Sequence, residues 1–287
     1  MSNSLTKTKR RIASVKSTKK ITKAMEMVAT VKLKRYRDLS ESALEYLASI
    51  EAVLAELFYY DQPTKSHYGQ ENESAPGNLY IVIGSDLGLC AGYNNDIFRH
   101  VEDLLQPGDC LAPIGEKARN HYLRKSFEGV SVREDFYEFG LDPDVRSVQT
   151  LCQRIRDDFN QCKYKKVIII YTQYVNSLRF VPQPYTLLPV SLPYEVSPED
   201  EYEPTLFEES PRAMIHRLLG TYLGAVISAK LAESQRSEQA ARRNAMDAAN
   251  DNCDNLLNDL TIEYNKARQG AITQEITEVV SGARAQQ

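Results

Sequence analysis

Three glycines follow the first short apolar run of the chain and could, by type, place a phosphate group. Gly84 ends Leu79–Gly84, a β-branched stretch typical of a buried strand, and Gly88 and Gly92 follow it. A glycine-rich turn between a strand and a helix can hold a phosphate because its backbone N–H groups approach closely. The spacing of four matches neither G-x-G-x-x-G nor G-x-x-x-x-G-K-[ST], and the loop has no lysine. The pattern therefore favours glycines that form tight turns.

The other reactive residue types do not form a recognisable active site. Cys90 has no obvious base nearby, and Ser85-Asp86 is better explained by local capping than by half of a catalytic pair. Without an H-E-x-x-H pattern or a neighbouring cysteine, the histidines do not indicate a metal site. The histidines are His67, His100, His121 and His216. We therefore expect no catalytic residue, no cofactor and no metal, and interpret the chain as a mechanical or interaction protein.

Composition indicates a globular protein of a reducing compartment. The 287 residues are 42% hydrophobic and 26% charged, and the length suggests about two domains. Five cysteines, an odd number without metal-like spacing, predict no disulfide framework. No apolar run approaches the roughly 18–20 residues of a membrane span. The N-terminus lacks the apolar core of a secretory signal, and Met1 without a transit peptide favours a bacterial protein.

The net charge of −4 hides an uneven distribution. Residues 1–37 contain twelve Lys or Arg and a single acid, Glu26, which gives +11 and leaves −15 for the rest of the chain. A basic segment of this kind favours a nucleic-acid, membrane or acidic-protein partner over a merely solvated surface.

The element that carries this charge is a long predicted helix, from about Ser4 to Asp61. No Gly or Pro interrupts it, and apolar residues recur at steps of three and four. At about 85 Å it would extend beyond a compact domain and need a packing partner along its length. We assign its apolar seam to Ile21, Ala24 or Met25, Val28, Val31, Tyr36, Leu39, Ala43, Tyr46 or Leu47, Ile50, Val53 or Leu54, and Leu57.

A linker (62–78) and an α/β domain (79–194) should follow. Strands alternating with helices predict a mainly parallel sheet, and several prolines after residue 181 predict an edge strand or loop. The predicted strands are Leu79–Gly84, Cys110–Ile114, Val130–Arg133 and Lys166–Thr172. Three helices are predicted in this domain. One ends near Leu105, one spans Glu116–Lys125, and one begins at Asp142-Pro143-Asp144, with Asp142 as N-cap, and ends at about Cys162.

An acidic linker (195–209) then leads to a second long helix, within a C-terminal segment of 210–287. Ser210-Pro211 is a capping signature, and no further proline follows. With the first helix, in residues 1–61, this helix is expected to form an antiparallel coiled coil into which the α/β domain is inserted. Its predicted apolar positions are Met214, Leu218, Tyr222, Val226, Ala229, Ala245, Ala249, Leu256, Leu260, Tyr264, Ala267, Ala271 and Val279.

Three motifs in this order resemble the gamma subunit of F-type ATP synthases. They are KRRIASVKSTKKITKAMEMVATVKLKR at Lys9–Arg35, GSDLGLCAGYNN after the first strand, and the C-terminal helix from Ser237 to Ala283. Two positions depart from the family pattern, since Leu87 replaces a usual Arg and Ala91 a usual Gly. The cysteine-bearing insertion of chloroplast forms is absent from the sequence.

The resemblance implies a non-catalytic rotor subunit. Its coiled coil would stand in a ring of three alpha and three beta subunits and pass on the rotation of the membrane c-ring, beside the epsilon subunit. Proton or sodium flow would be coupled to ATP synthesis or hydrolysis. The chain would be peripheral, at the cytoplasmic face of the bacterial inner membrane, and held there only through its partners. The resemblance implies no nucleic-acid partner.

The resemblance also implies contact residues on both long helices. On the first helix these are Met25, beside the beta lever, and Lys32 and Arg35. On the second they are polar residues: Arg242, Arg268, Gln269, Thr273 and Glu275.

The residues alone leave three other functions open. The chain could be a nucleic-acid-binding coiled coil, although Tyr36 is the only aromatic residue among the basic ones. It could be an α/β enzyme with helical dimerisation arms, or a scaffold for a different acidic partner.

Overall fold

The computed structural model describes residues 2–60, 67–190 and 207–285, without the side chains of 2–4, 59, 67, 275, 278 and 282–285. Of the two predicted linkers, the acidic one (195–209) therefore lies mostly outside the described residues, whereas residues 67–78 of the first (62–78) are described. The helices are α1 (Ser2–Tyr60), α2 (Tyr93–Leu104), α3 (Glu116–Arg124), α4 (Val145–Asn160) and α5 (Pro211–Ala285). The strands are β1 (Leu79–Ile83), β2 (Cys110–Ile114), β3 (Ser131–Val132), β4 (Val167–Tyr174) and β5 (Phe180–Leu188).

Two compact units divide the chain. The helical unit combines Met1–Thr30 with Arg242–Gln287, and the α/β unit spans Val31–Ala241. The predicted fold class, long terminal helices around an inserted, mainly parallel α/β domain, is confirmed.

The two chain ends of the helical unit form an antiparallel helix pair. Hydrogen bonds join Thr8 to Glu263, Lys19 to Asp254 and Thr22 to Asn250, so the partner number falls along α5 as the number rises along α1. Within this unit the α1 positions that are buried or half-buried follow alternating steps of four and three, the heptad pattern of a coiled coil. They are Leu5, Thr8, Ile12, Val15, Lys19, Thr22, Glu26 and Ala29, and Met25, also half-buried, lies beside them.

The predicted seam was wrong in the first half of α1. Ile21 is 59% exposed and Val28 57% exposed, and in the α/β unit Val31 is 71% and Leu39 44% exposed. In the helical unit the observed seam residues come one position after the predicted ones, which turns the contact face by about 100° around the helix. Smaller and more polar residues therefore meet α5. At Tyr36 and from Ala43 to Leu57 the prediction holds, and where two residues were given Leu47 and Leu54 are the buried ones.

The sheet of the α/β unit has the strand order β3-β2-β1-β4-β5. Strands β1 to β4 pair in parallel, and β5 pairs with β4 in antiparallel fashion, as predicted for a proline-bearing edge strand. Alternation along β1 fills two cores. Leu79, Ile81 and Ile83 pack towards α1, α4 and α5, whereas Tyr80 and Val82 pack towards α2 and α3.

Two helix starts show how local capping decides boundaries. Helix α5 begins at Pro211 as predicted, with Ser210 Oγ accepting a hydrogen bond from Ala213 N at 3.4 Å. The N-cap of α4 is Asp144, not Asp142, since its Oδ1 accepts from Ser147 N at 2.8 Å. The sequence predicts Pro143 as the first helical residue. In the structure α4 begins after Asp144, because the carboxylate of Asp144 lies three residues before Ser147, from whose backbone N–H it accepts a hydrogen bond.

Candidate partner-binding surfaces

The interface between the two helices of the helical unit contains a cluster of paired polar side chains. Asn250 donates to Glu26 Oε2 at 2.6 Å and is hydrogen-bonded to Thr22, while Lys19 Nζ donates to Asp254 Oδ2 at 2.6 Å. Lys23 donates to Glu26 as well, and this hydrogen bond raises the pKa of the Lys23 ammonium. Each polar group that leaves water at this interface gains a partner, which limits the cost of burying it.

Large apolar side chains instead lie on the outer side of α1. Ile21, Met27 and Val28 are 59%, 57% and 57% exposed. They are interleaved with exposed cations: Lys7, Lys9, Arg10, Arg11, Lys16, Lys20 and Lys23. A surface that combines exposed large apolar residues with one sign of charge is typical of a protein interface rather than of free solvent.

The outer side of α5 in the same unit is also apolar. Its strongly exposed residues are Leu256, Ile262, Ile272, Ile276, Val279 and Val280. The predicted apolar positions Leu256 and Val279 are 48% and 72% exposed. Leu260, another predicted apolar position, is buried, and Leu257 is half-buried. Within the described residues of this unit, α5 therefore also presents uncovered apolar surface.

The predicted contact residues of the helical unit differ in how much surface they offer. Arg268, Gln269 and Thr273 are exposed, and Thr273 Oγ1 donates to the Gln269 carbonyl oxygen at 3.0 Å. Met25 is half-buried beside the seam. Arg242 is only 6% exposed and has little surface for a partner chain. The side chain of Glu275 lies outside the described residues. Contact with a partner stays a prediction for all of them.

The two predicted contact residues of the α/β unit are exposed cations on α1. Arg35 Nη2 donates to Asp142 Oδ2 at 3.0 Å, and its side chain remains 65% exposed. Lys32 is exposed as well. An ion pair this open to solvent contributes about 0–1 kcal/mol, so a partner carboxylate can replace Asp142 at little cost.

The carboxyl end of β4, beside the glycine loop, is covered by α5. In this sheet topology a nucleotide would lie at the carboxyl ends of β1 and β4, where the strand order reverses. There Ser234 Oγ of α5 accepts from Thr172 N, Ser237 Oγ donates to the Thr172 carbonyl, and Tyr93 is hydrogen-bonded to Ser234. Burial raises the pKa of the Tyr93 hydroxyl, which keeps it protonated. These contacts occupy the position that a nucleotide would take, which agrees with the prediction that the glycines form tight turns.

Sequence reasoning missed the outer apolar residues as binding candidates. The signal was present, because Ile21, Ala24 and Val28 have heptad spacing that competes with the set around Thr22 and Ala29. Two separate apolar heptad sets on one helix indicate two contact faces. Among the described residues no group of three or more His, Cys, Asp and Glu could hold a metal ion. No described helix is long and apolar enough to cross a membrane.

Comparisons with known proteins agree over nearly the whole length of the chain. A family model described as ATP synthase matches residues 4–286. The ATP synthase gamma chain of Desulforamulus reducens is 34% identical over 283 residues, covering 96% of this chain and 97% of the relative. That of Mycoplasmopsis pulmonis is 35% identical over 285 residues, covering 98% and 99%. The rotor of the Euglena gracilis mitochondrial ATP synthase shares the fold, with a TM-score of 0.62 at 15% identity, and covers 95% of this chain and 100% of that one.

Proposed function

Because the chain belongs to the family of ATP synthase gamma chains, we propose that it is the central-stalk rotor subunit of an F-type ATP synthase. In this role it transmits rotation between the c-ring and a catalytic head of three alpha and three beta subunits, beside an epsilon subunit. It thereby couples proton or sodium translocation to ATP synthesis or hydrolysis. It contributes no catalytic residue, and it is held at the cytoplasmic face of a bacterial inner membrane through its partners.

The observation that carries the proposal is the distribution of side chains in the helical unit. A free-standing helix pair buries its large apolar residues in the seam and exposes its polar ones. Here Thr22, Glu26 and Asn250 meet inside, while Ile21 and Val28 face outward. This arrangement suits a shaft that is surrounded by other protein chains.

The same unit has properties that a rotating shaft needs. Stiffness comes from two helices without an internal proline, cross-linked by hydrogen bonds such as those of Lys19 and Asn250. Slippage past several binding sites requires weak individual contacts. Long hydrated cations on α1 supply these, because exposed ion pairs contribute only about 0–1 kcal/mol each.

The test is assembly and turnover. The chain is coexpressed with the alpha and beta subunits of its source, purified through a tag on this chain, and assayed for ATP hydrolysis. We expect a complex of three alpha, three beta and one copy of this chain, whose hydrolysis depends on it. Recovery of the chain alone, or with nucleic acid that dissociates in salt, would contradict the proposal.

A further inference from the structure

A groove opens in the α/β unit between α4 and the N-terminal part of α5, with α1 at its rim. It has a volume of about 670 Å³, within the range of about 300–1,000 Å³ that is usual for small-molecule sites. All of its described lining residues belong to this one unit. Apolar and charged side chains both line the groove, a combination that suits a ligand with an apolar body and a polar end.

Two glycines of α5, one helical turn apart, leave this groove open. Glycine inside a helix is less stable than alanine, so its presence at Gly220 and Gly224 needs a reason. A Cβ on Gly224 would lie 3.5 Å from Val148 Cγ1 and 3.8 Å from Cys152 Sγ, which are ordinary contact distances. A Cβ on Gly220 would lie 3.3 Å from Nη1 at the flexible end of Arg156. Close packing therefore does not require glycine here, and the absence of side chains makes room beside α4.

The wall of the groove that faces these glycines is apolar. On α4, Val148 is 8% exposed and Cys152 3% exposed. Burial raises the pKa of the Cys152 thiol to about 12, so the thiol is uncharged at neutral pH. Tyr46 of α1 lies at the rim and keeps 54% of its surface exposed. The apolar body of a ligand would be covered by these side chains and by Ala225 of α5.

The polar end of the groove is Arg156 of α4. In the part of the chain that the structure describes, its Nε is buried and has no hydrogen-bond partner. A buried N–H group without an acceptor is costly, and an anion in the groove would supply the acceptor. The other arginine of the lining, Arg217, already has a partner, since its Nη1 lies 3.2 Å from Glu209 Oε1. Arg156 is therefore the cation left for a ligand.

The charges around the groove favour an anion with a single charge. Among the described lining residues, two arginines and one aspartate, Asp157, give a net charge of +1. Glu209 offsets Arg217 as well, so the two charges of a phosphate would be poorly compensated. A carboxylate carries one charge, and the planar guanidinium of Arg156 matches its two oxygens.

We infer that the groove between α4 and α5 binds a small amphipathic monocarboxylate, of the class of medium-chain fatty acids. The carboxylate accepts hydrogen bonds from Arg156, and the alkyl chain lies beside Gly220 and Gly224, against Val148 and Cys152. Because such a ligand contacts α1, α4 and α5 together, it stabilises the folded α/β unit by mass action. The site lies within one unit, and the inference does not depend on the proposed rotor function.

Thermal unfolding of the full chain, with sodium octanoate as the probe, tests whether the ligand class is correct. We expect the unfolding midpoint to rise by about 5 °C at about a hundredfold excess over the dissociation constant. Octanol has the alkyl chain without the charge, and inorganic phosphate has charge without the chain. Both should shift the midpoint much less at the same ionic strength. No shift with octanoate, or an equal shift with octanol or phosphate, overturns the inference.

Matched variants locate the site, with octanoate affinity measured by isothermal titration calorimetry. Arg156→Gln should weaken binding about tenfold or more, whereas Arg146→Gln, at an exposed cation of the same helix, should not. Gly224→Leu should abolish binding because its side chain fills the groove. Gly270→Leu is its control, since a Cβ there would meet no described atom within 4 Å.

The arginine variants decide if Gly224→Leu fails to fold, which circular dichroism reports. Equal octanoate affinities of Arg156→Gln and Arg146→Gln overturn the inference. So does a folded Gly224→Leu variant that binds octanoate as tightly as Gly270→Leu.

Discussion

Replacing Ile21 and Val28 by serine tests which face of α1 meets α5. Both residues are more than half exposed, at 59% and 57%. Because Ile, Val and Ser have similar helix propensities, the change leaves the intrinsic stability of the helix nearly constant. Surface substitutions of this kind change the free energy of unfolding by about 0.5 kcal/mol or less. We therefore expect the isolated double variant to unfold at nearly the same denaturant concentration as the unmodified chain.

Binding to the catalytic head should respond differently. Burying an isoleucine or valine side chain fully stabilises by about 1.5–3 kcal/mol. With more than half of each side chain still exposed in this chain, about 1 kcal/mol each remains to be gained on binding. The double variant should lose about 2 kcal/mol, roughly 30-fold in affinity.

The assay compares the double variant with Leu260→Ser, at a position only 6% exposed in the same unit. Denaturant unfolding followed by circular dichroism reports stability, and titration with the alpha–beta head reports affinity. Leu260→Ser should cost about 2–5 kcal/mol of stability, the range for truncating a buried leucine. If Ile21→Ser with Val28→Ser destabilised the isolated chain as strongly, these residues would be seam residues and the reasoning would be refuted.

Three further predictions concern the other singled-out residues. Met25→Lys should lower ATP-driven ion pumping relative to hydrolysis, because at the predicted contact with the beta lever a cation would add a persistent ion pair in place of a flexible thioether. Unchanged pumping in membrane vesicles would contradict this. Gln269→Ala should reduce ATPase turnover at unchanged thermal stability. Arg242→Ala should reduce turnover and also lower the free energy of unfolding by about 1–3 kcal/mol, since Arg242 is only 6% exposed. Normal turnover in both variants would make these residues purely structural. Burial raises the pKa of the Cys152 thiol from 9.0 to about 12. The contribution of this thiol to stability is therefore complete below pH 9 and is lost as the pH rises towards 12. In Cys152→Ser the unfolding midpoint should accordingly fall less steeply with pH above pH 9.

The sequence predicted those parts of the fold whose signals are local. The start of α5 at Pro211 and strand β4 follow from capping chemistry and β-branched residues within a few positions. Even there the choice between Asp142 and Asp144 as N-cap failed, because both carboxylates satisfy the same rule and only the position of Ser147 N separates them.

The seam register of α1 could not be derived from periodicity. Ile21, Ala24 and Val28 are spaced by three and four residues, and Thr22, Glu26 and Ala29 by four and three, so both sets fit a coiled coil. Hydrophobicity favours the first set, and the structure uses the second, where Asn250 of α5 finds Thr22 and Glu26 as hydrogen-bond partners. Which set faces inward depends on residues more than 200 positions away and on surface that other chains would cover.

This choice of register has an energetic consequence for the helical unit. A seam built on Thr22, Glu26 and Asn250 gains modest net stability, about 1 kcal/mol per hydrogen bond, although a buried asparagine does fix the pairing register. Partner chains that cover Ile21 and Val28 would stabilise the unit further, since they bind only its folded state. Backbone amides of Ser14–Thr30 should therefore exchange hydrogen much faster in the isolated chain than in the assembled complex, while those of β1 and β4, buried on both faces of the sheet, should exchange slowly in both. Equal protection of Ser14–Thr30 in the two states would mean that the outer apolar face is not a binding surface.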